Sequence, residues 1–255
     1  MDGGARNVIV TGAARGIGRG MVEAFLDARD RVAGFDLDAD GLASIADPGN
    51  HFEARQLDVA DIKNLQAAID DFAVRHGSID VLINNAGVTR RADLMDLTEE
   101  DWDRILTVNG KAVFFGQQAA ARQMLRQGSG CIINIASIAG RGYPDSSNAI
   151  YAASKGAVIA MTRMAAHRLG PSGITVNAIC PGITETEIFQ GIVARDAEAR
   201  GVAYETVHAE KLQNVPIRRA NTITEVAEMA LYLASPAARN ITGQAMHIDG
   251  GLIMP

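Results

Sequence analysis

The chain has 255 residues, a formal net charge of −6 at pH 7, and 47% hydrophobic residues. This is the composition of an ordinary globular protein, and an acidic balance without long runs of one sign argues against a nucleic-acid-binding surface. No apolar run reaches the roughly 18 residues of a membrane span, and the first residues lack a signal-peptide pattern, so we expect a cytoplasmic protein with a small-molecule ligand.

Short apolar segments alternate with longer amphipathic ones along the whole chain. The short segments predict strands at 7–12, 31–36, 51–59, 79–87, 131–137, 174–180 and 245–249. The longer ones predict helices near 16–29, 61–76, 98–127, 151–169 and 224–234. Strands that are apolar throughout are typical of a parallel sheet covered by helices on both faces. We therefore expect an α/β protein with a doubly wound parallel sheet of about seven strands, in a single domain over 1–255.

A glycine-rich segment, TGAARGIG at 11–18, joins the first predicted strand to the first helix. Glycine at these places permits a tight turn and the close approach of a pyrophosphate, and the helix N-terminus offers free N–H groups. The segment predicts a dinucleotide-binding loop. Its cofactor-binding residues are Thr11, Gly12, Arg15, Gly16, Ile17 and Gly18.

Asp36 ends the second predicted strand. A carboxylate there can accept hydrogen bonds from the adenosine ribose hydroxyls and would repel the extra phosphate of NADP. The alternative is a turn residue that caps the following helix. Arg15 could attract that phosphate, whereas Leu37 adds no second positive charge. We favour NAD as the cofactor, with Asp36 and Leu37 at its adenosine end.

Further polar residues follow the third and fourth predicted strands. In a parallel sheet, ligands bind outside the carboxyl ends of the strands. We therefore expect Asp58 and Val59 beside the adenine. Asn85, Ala86 and Gly87 should line the same crevice, although the asparagine pair by itself could simply mark a turn.

Tyr151 and Lys155 lie four residues apart and would share one face of a helix. A neighbouring ammonium favours a phenolate, which lowers the pKa of a tyrosine. Tyr151 could then take the proton of an alcohol while a hydride passes to NAD. Ser137 would hydrogen-bond the substrate oxygen, and Lys155 would also hold the nicotinamide ribose. The simpler alternative is a solvated lysine beside a half-buried tyrosine.

These motifs resemble those of the classical short-chain dehydrogenases/reductases. The resemblance extends over nearly the whole chain and rests on 11–18, 84–87, Asn109, Ser137, Tyr151 with Lys155, and Pro181 with Gly182. It implies a Rossmann-type domain and a catalytic tetrad of Asn109, Ser137, Tyr151 and Lys155. In that tetrad Asn109 fixes a helix kink and a water that relays protons from Lys155. The resemblance also implies nicotinamide contacts from Pro181, Gly182, Ile183 and Thr184.

The loop at 138–150 departs from the family pattern, because the spacing from Ser137 to Tyr151 is one residue longer than usual. The loop is polar and contains Arg141, Tyr143, Asp145, Ser146, Ser147 and Asn148. We expect the substrate to contact Ser137, Ala139, Arg141, Tyr143, Asn148, Tyr151 and Phe189. This polarity favours a small secondary alcohol of the polyol or sugar-alcohol type. One alternative is a reductase of 3-oxoacyl thioesters of the acyl-carrier-protein type, and another is a non-catalytic NAD-binding sensor.

The segment 183–215 interrupts the alternation of strand and helix. Long insertions at this rim tend to be lids. We expect two short helices that close over the substrate, with Ile183, Phe189 and Ile192 on the inner face. The alternative is a fixed surface decoration.

Two predicted helical stretches, 112–125 and 151–169, are apolar over more than one stripe. Such an excess usually marks an interface, and we expect a homotetramer. The two cysteines, Cys131 and Cys180, lie in apolar runs and are expected to be buried, reduced thiols. We expect no metal site.

Overall fold

The computed structural model describes residues 4–143 and 147–254. Seven parallel strands form one sheet in the order β3-β2-β1-β4-β5-β6-β7. The strands are β1 Asn7–Thr11, β2 Arg31–Asp36, β3 Phe52–Gln56, β4 Val81–Asn84, β5 Gly130–Ile135, β6 Ile174–Pro181 and β7 Ala245–Ile248. The predicted fold class is confirmed.

Helices cover both faces of this sheet. They are α1 Gly16–Asp27, α2 Ala39–Ala43, α3 Ile62–His76, α4 Glu99–Leu106, α5 Ala112–Gln127, α6 Ala149–Leu169, α7 Glu187–Arg200, α8 Tyr204–Leu212 and α9 Ile223–Leu233. In β1, Val8 and Val10 pack towards α1 and α9, whereas Ile9 packs towards α3 and α5. All three side chains are fully buried. The continuous apolar pattern of the strands therefore reflects two cores, one on each face of the sheet.

Three strands end two or three residues earlier than the sequence predicted. β3 ends at Gln56, β4 at Asn84 and β5 at Ile135. The residues that follow leave the ladder because they bond elsewhere. For example, Asn85 N donates to Thr11 Oγ1 at 3.0 Å. Ser137, expected on a strand, instead caps a 3-10 turn at Ile138–Arg141.

The helix predicted over 98–127 is interrupted. A π-helical turn at Thr107–Lys111 separates α4 from α5. The next long helix, α6, begins at Ala149 because the side chain of Asn148 caps it by accepting a hydrogen bond from Tyr151 N at 2.8 Å. Tyr151 and Lys155 therefore lie in its first two turns.

The segment between β6 and α9 contains α7 and α8, the two helices expected there. They have a small core of their own, in which Val193, Ala197 and Val207 are buried and Phe189 and Tyr204 are partly buried. Within the described residues, no helix is long and apolar enough to cross a membrane.

Candidate active site

The site lies at the carboxyl edge of the sheet, between β1 and β4. β1 is paired with β2 on one side and β4 on the other, so the chain winds away in opposite directions from this point. Such a switch point is where ligands bind in open parallel sheets.

The glycine loop and the turn after β4 are packed directly against each other. A Cβ atom on Gly12 would lie 2.8 Å from Ala86 Cα, and one on Gly18 would lie 1.9 Å from Gly12 O. Asn85 Nδ2 donates to Thr11 O at 3.0 Å and to Gly12 O at 2.9 Å. No larger residue fits at Gly12 or Gly18, so close packing fixes the conformation of the predicted loop.

The first turn of α1 leaves its backbone N–H groups available to a ligand. Among the described residues no side chain caps this helix, and its first turn contains no acid. By contrast, α3 and α6 are capped by Asp61 and Asn148. Uncapped N–H groups at a helix N-terminus suit a phosphate. The exposed Arg15 and the partly buried Ile17 flank them, so this loop fits a dinucleotide pyrophosphate.

Asp36 organises the end of β2. Its Oδ2 accepts from Ala14 N at 3.0 Å, and its Oδ1 accepts from Asp38 N at 3.0 Å. The following helix α2 is capped by Asp38, whose side chain accepts from Gly41 N at 2.9 Å. Asp36 is therefore not the cap of that helix. Each carboxylate oxygen retains a lone pair for a ribose hydroxyl.

A crevice of about 390 Å³ opens at Leu37, the residue that follows Asp36. Its size is that of a small-ligand pocket. It is lined by Leu37, Asp58, Ala60, Val88, Asp103, Arg104, Thr107 and Val108. The crevice brings together Leu37 and Asp58, as expected for an adenine site. Val59 is largely buried behind it.

Ser137, Tyr151 and Lys155 converge at the carboxyl end of β5. The side chains of Ser137 and Tyr151 are hydrogen-bonded to each other. Lys155 Nζ lies 5.7 Å from the centroid of the Tyr151 ring and donates to Ile135 O at 2.7 Å. The helical spacing that pointed to a paired phenol and ammonium therefore does bring the two groups together, close to a serine hydroxyl.

Asn109 lies in the π-helical turn and is fully buried. Its Nδ2 donates to Val88 O at 2.9 Å and to Ser154 Oγ at 3.1 Å. A Cβ atom on Gly87 would lie 3.4 Å from Asn109 Oδ1 and 3.5 Å from Lys155 Nζ. Both polar groups thus face the same space beside Gly87, and the helix kink lies where the family resemblance places it.

Burial governs the protonation of this cluster. It raises the pKa of Tyr151, against the opposing effect of the hydrogen bond from Ser137. It lowers the pKa of Lys155 to about 8. The expectation that Lys155 lowers the pKa of Tyr151 is therefore not met in the chain alone, because loss of hydration is the larger effect and the opposing one comes from Ser137. Tyr151 is therefore a neutral phenol at pH 7.

Burial also makes the two cysteines unreactive. Burial raises the pKa of Cys131 and of Cys180 to about 11. Thiols of this kind stay protonated and are poor nucleophiles. Groups of three or more His, Cys, Asp or Glu side chains able to hold a metal are absent from residues 4–143 and 147–254.

The residues expected to contact the substrate differ in their hydrogen bonds and in their exposure. Asn148 Nδ2 donates to Arg90 O at 2.6 Å and to Thr89 Oγ1 at 3.2 Å, and Ser147 Oγ lies 3.0 Å from Thr89 Oγ1. The amide of Asn148 thus joins two loops of the fold. Arg141 is exposed, Tyr143 is half-buried, and Ala139 is buried. Asp145 and Ser146 lie outside the described residues.

Phe189, also expected at the substrate, packs within the insertion. Its ring centroid lies 5.7 Å from that of His208 on α8. His208 Nε2 lies 2.6 Å from Glu185 Oε1. Phe189 therefore helps to hold α7 against α8.

The expected nicotinamide contacts lie on a segment that leaves the sheet after Pro181. Gly182 N donates to Ile248 O at 2.8 Å, and Thr184 Oγ1 donates to Gly182 O at 3.2 Å. Ile183 instead packs with Leu212 and Val215. Its side chain therefore serves the core of the insertion.

Thr186 is a site residue that the sequence analysis did not identify. It caps α7 by accepting from Phe189 N at 3.3 Å. A Cβ atom on Gly16 would lie 3.8 Å from Thr186 Cγ2, so this threonine reaches the glycine loop. A threonine just before a helical stretch is the signal that could have identified it as a cap.

The family model described as "Enoyl-(Acyl carrier protein) reductase" matches residues 12–253. The chain belongs to the classical short-chain dehydrogenase/reductase family. It is 36% identical over 255 residues to the 3-oxoacyl-(acyl-carrier-protein) reductase FabG of Staphylococcus aureus, covering 98% of each chain. The FabG of Thermotoga maritima is 36% identical, with coverage of 96% of this chain and 97% of that one. The FabG of Vibrio harveyi is 33% identical over 96% of each.

A solved structure agrees with these relatives. The crystal structure of an actinorhodin polyketide ketoreductase with NADPH superposes with a TM-score of 0.89 at 32% identity, covering 97% of each chain. The chain is accordingly an oxidoreductase that acts on CH–OH or keto groups through a nicotinamide cofactor. The similarity to FabG supports the 3-oxoacyl thioester alternative better than the polyol interpretation.

Proposed function

We propose that the enzyme reduces the 3-oxo group of an acyl thioester, carried by an acyl carrier protein, to a hydroxyl group. The observation that carries this proposal is the 36% identity to a 3-oxoacyl-(acyl-carrier-protein) reductase over 98% of the chain. The polar loop at 138–150 no longer argues strongly for a polyol. Its Asn148 amide is bound to Thr89 and Arg90, rather than left for a substrate.

The arrangement of side chains suits proton delivery to a carbonyl oxygen. A reduced nicotinamide cofactor held at the glycine loop would supply a hydride to the carbonyl carbon. Tyr151, whose raised pKa keeps it protonated, donates its proton to the oxygen. Ser137 hydrogen-bonds the same oxygen and, through its contact with Tyr151, holds the phenol beside it. The Lys155 ammonium then restores the proton of Tyr151. Asn109 Oδ1 borders the same space beside Gly87 as Lys155 Nζ.

We assign NADH as the preferred cofactor because of the carboxylate at the end of β2. Asp36 is held by Ala14 N and Asp38 N, directly before Leu37, which lines the crevice. A fixed negative charge there disfavours a ribose 2′-phosphate. The structural neighbour carries NADPH, so the two cofactors have to be compared directly.

The test is a panel of substrates with both cofactors. We expect NADH-dependent reduction of an acetoacetyl thioester to exceed NAD-dependent oxidation of sorbitol, other polyols and sugar alcohols. Faster polyol oxidation would restore the polyol interpretation. Tight NADH binding with no turnover of any substrate would support the sensor instead.

Tyr151→Phe provides the control for the mechanism. It keeps the aromatic ring and removes only the oxygen that transfers the proton. Loss of a proton-transfer group costs about 10²–10⁴-fold in rate. We expect such a loss in kcat together with unchanged NADH affinity, measured by cofactor fluorescence.

A further inference from the structure

Asn221 lies in the connection between α8 and α9, directly before Thr222, which caps α9. It is 4% exposed and belongs to none of the sites described above. We propose that Asn221 is a positioning residue for the nicotinamide half of the cofactor, acting through the segment 182–186. This inference rests on the proposed function for its nicotinamide cofactor, and on the family resemblance for the nicotinamide contacts of Pro181, Gly182, Ile183 and Thr184.

The backbone of Asn221 forms two hydrogen bonds to this segment. Asn221 N donates to Ile183 O at 2.8 Å, and Asn221 O accepts from Glu185 N at 2.9 Å. Together these bonds form an isolated parallel bridge between Thr184 and Asn221. The segment has already left the sheet at this point, so the bridge provides two backbone bonds that the ladder no longer supplies.

The side chain of Asn221 links this bridge to the sheet. Its Nδ2 donates to Ile248 O, at the end of β7. The same carbonyl oxygen accepts from Gly182 N at 2.8 Å. One carbonyl of the sheet therefore anchors the segment twice, directly at Gly182 and through Asn221 at 183–185.

The segment 182–186 contacts the cofactor loop through its last residue. A Cβ atom on Gly16 would lie 3.8 Å from Thr186 Cγ2. The adenosine end is held separately, since Asp36 is bound to Ala14 N and Asp38 N at the end of β2. Loss of the Asn221 amide should therefore disturb the nicotinamide end and leave the adenosine end as it is.

The experiment compares two ligands on the full-length protein without substrate. NADH contains the nicotinamide, whereas ADP-ribose has the same adenosine and pyrophosphate without it. Asn221→Ala removes the side-chain anchor. Asn221→Asp keeps its size, but its carboxylate does not donate to Ile248 O, so it serves if the alanine variant folds poorly.

Asn177→Ala is the matched control. Asn177 is also fully buried, and its Nδ2 donates to Ile241 O at 2.8 Å while its Oδ1 accepts from Gln244 N at 3.1 Å. It makes the same kind of bonds at the start of β7, away from the segment 182–186. A purely structural effect should appear equally in both variants as a lower Tm.

We expect both Asn221 variants to bind NADH about 10-fold more weakly, the scale of one lost buried hydrogen bond, with the affinity for ADP-ribose unchanged. Asn177→Ala should lower the Tm and change neither affinity. Equal weakening of both ligands, or unchanged NADH affinity, would overturn the proposal. If the wild type fails to reduce 3-oxoacyl thioesters but the selective NADH effect is present, the substrate assignment fails and the role of Asn221 stands.

Discussion

Asn109 and Val88 exchange two hydrogen bonds. Val88 N donates to Asn109 Oδ1 at 2.8 Å, and Asn109 Nδ2 donates to Val88 O at 2.9 Å. The same amide nitrogen donates to Ser154 Oγ, whose hydroxyl donates to Tyr151 O at 2.7 Å. One buried side chain thus fixes the loop after β4 relative to α6, the helix that contains Tyr151 and Lys155.

Asn109→Ala should lower both stability and turnover. The substitution leaves both polar groups of the Val88 backbone without these partners, and each such loss costs about 1–3 kcal/mol. We expect a clearly lower Tm and a fall in kcat, measured by calorimetry and by NADH oxidation. Asn134→Ala is the control, because Asn134 is equally buried and bonds Asn84, Gln117 and Thr162 instead. A kcat that falls no further in Asn109→Ala than in this control would limit Asn109 to folding.

Lys155→Met should be inactive but more stable at neutral pH. Burial lowers the pKa of Lys155 from 10.5 to about 8, a difference that corresponds to about 3 kcal/mol. Below pH 8 the lysine is charged in both the folded and the unfolded state, and folding bears the full free-energy cost of burying the ammonium. Between about pH 8 and 10.5 the unfolded chain binds more protons, so wild-type stability rises with pH.

The advantage of Lys155→Met over the wild type should therefore be largest at pH 7 and shrink towards pH 10. The lost bond to Ile135 O reduces it by about 1 kcal/mol. Denaturant unfolding of both proteins at the two pH values measures the difference. A difference that does not change with pH would mean that Lys155 is not buried as a cation.

Asp36→Ala should change cofactor selectivity. Loss of a charged hydrogen-bond acceptor weakens NADH use by about 10- to 100-fold in kcat/KM, while removal of the negative charge improves NADPH use. Adding Leu37→Arg should improve NADPH use further. Asp38→Ala is the control, since it removes the neighbouring acid and the cap of α2 but keeps the predicted ribose contact. A wild type that already prefers NADPH, or an unchanged NADH/NADPH ratio in Asp36→Ala, would show that Asp36 only shapes the turn.

The protein should form a homotetramer through α5 and α6. Phe114 and Leu125 on α5 and Met164 on α6 are large apolar side chains that remain exposed, Met164 by 70%. Light scattering at micromolar concentration should give four times the chain mass. Met164→Glu should lower that mass, whereas Val74→Glu, at an exposed position on α3, should not. A monomeric wild type would contradict the prediction.

Periodicity and turn residues predicted the fold well because the central strands β1, β4, β5 and β6 lie between the two cores and are mostly apolar. The predicted β2 agrees with the structure at both ends, whereas β3, β4 and β5 were predicted too long. After β4, Asn85 bonds Thr11, a contact distant in sequence, whereas Asp58 and Ser137 accept from Ala60 N and Ala139 N in turns of their own.

Periodicity did not predict the π-helical turn at Thr107–Lys111, since one wider turn hardly alters the apolar pattern of a long helix. Only the family resemblance implied a kink there.

The parts of the candidate site that depend on residue spacing could be predicted from the sequence. The properties that depend on burial could not. The glycine loop and the pairing of Tyr151 with Lys155 follow from local sequence. The raised pKa of Tyr151 depends on how much water reaches the phenol, which no spacing reveals. Asn148 was assigned to the substrate because it is polar, yet its amide caps α6 and binds Arg90.

The bonds from Asn148 and Ser147 to Thr89 and Arg90 constrain how the enzyme can be re-engineered. The loop before α6 is one residue longer than the family pattern and is the natural piece to exchange when new specificity is sought. A chimaera that grafts this loop alone would break its bonds to the loop after β4. Because Val88, next to Thr89, is bound to Asn109, the damage would spread to the tetrad. The two loops form one transplantable unit and have to be exchanged together.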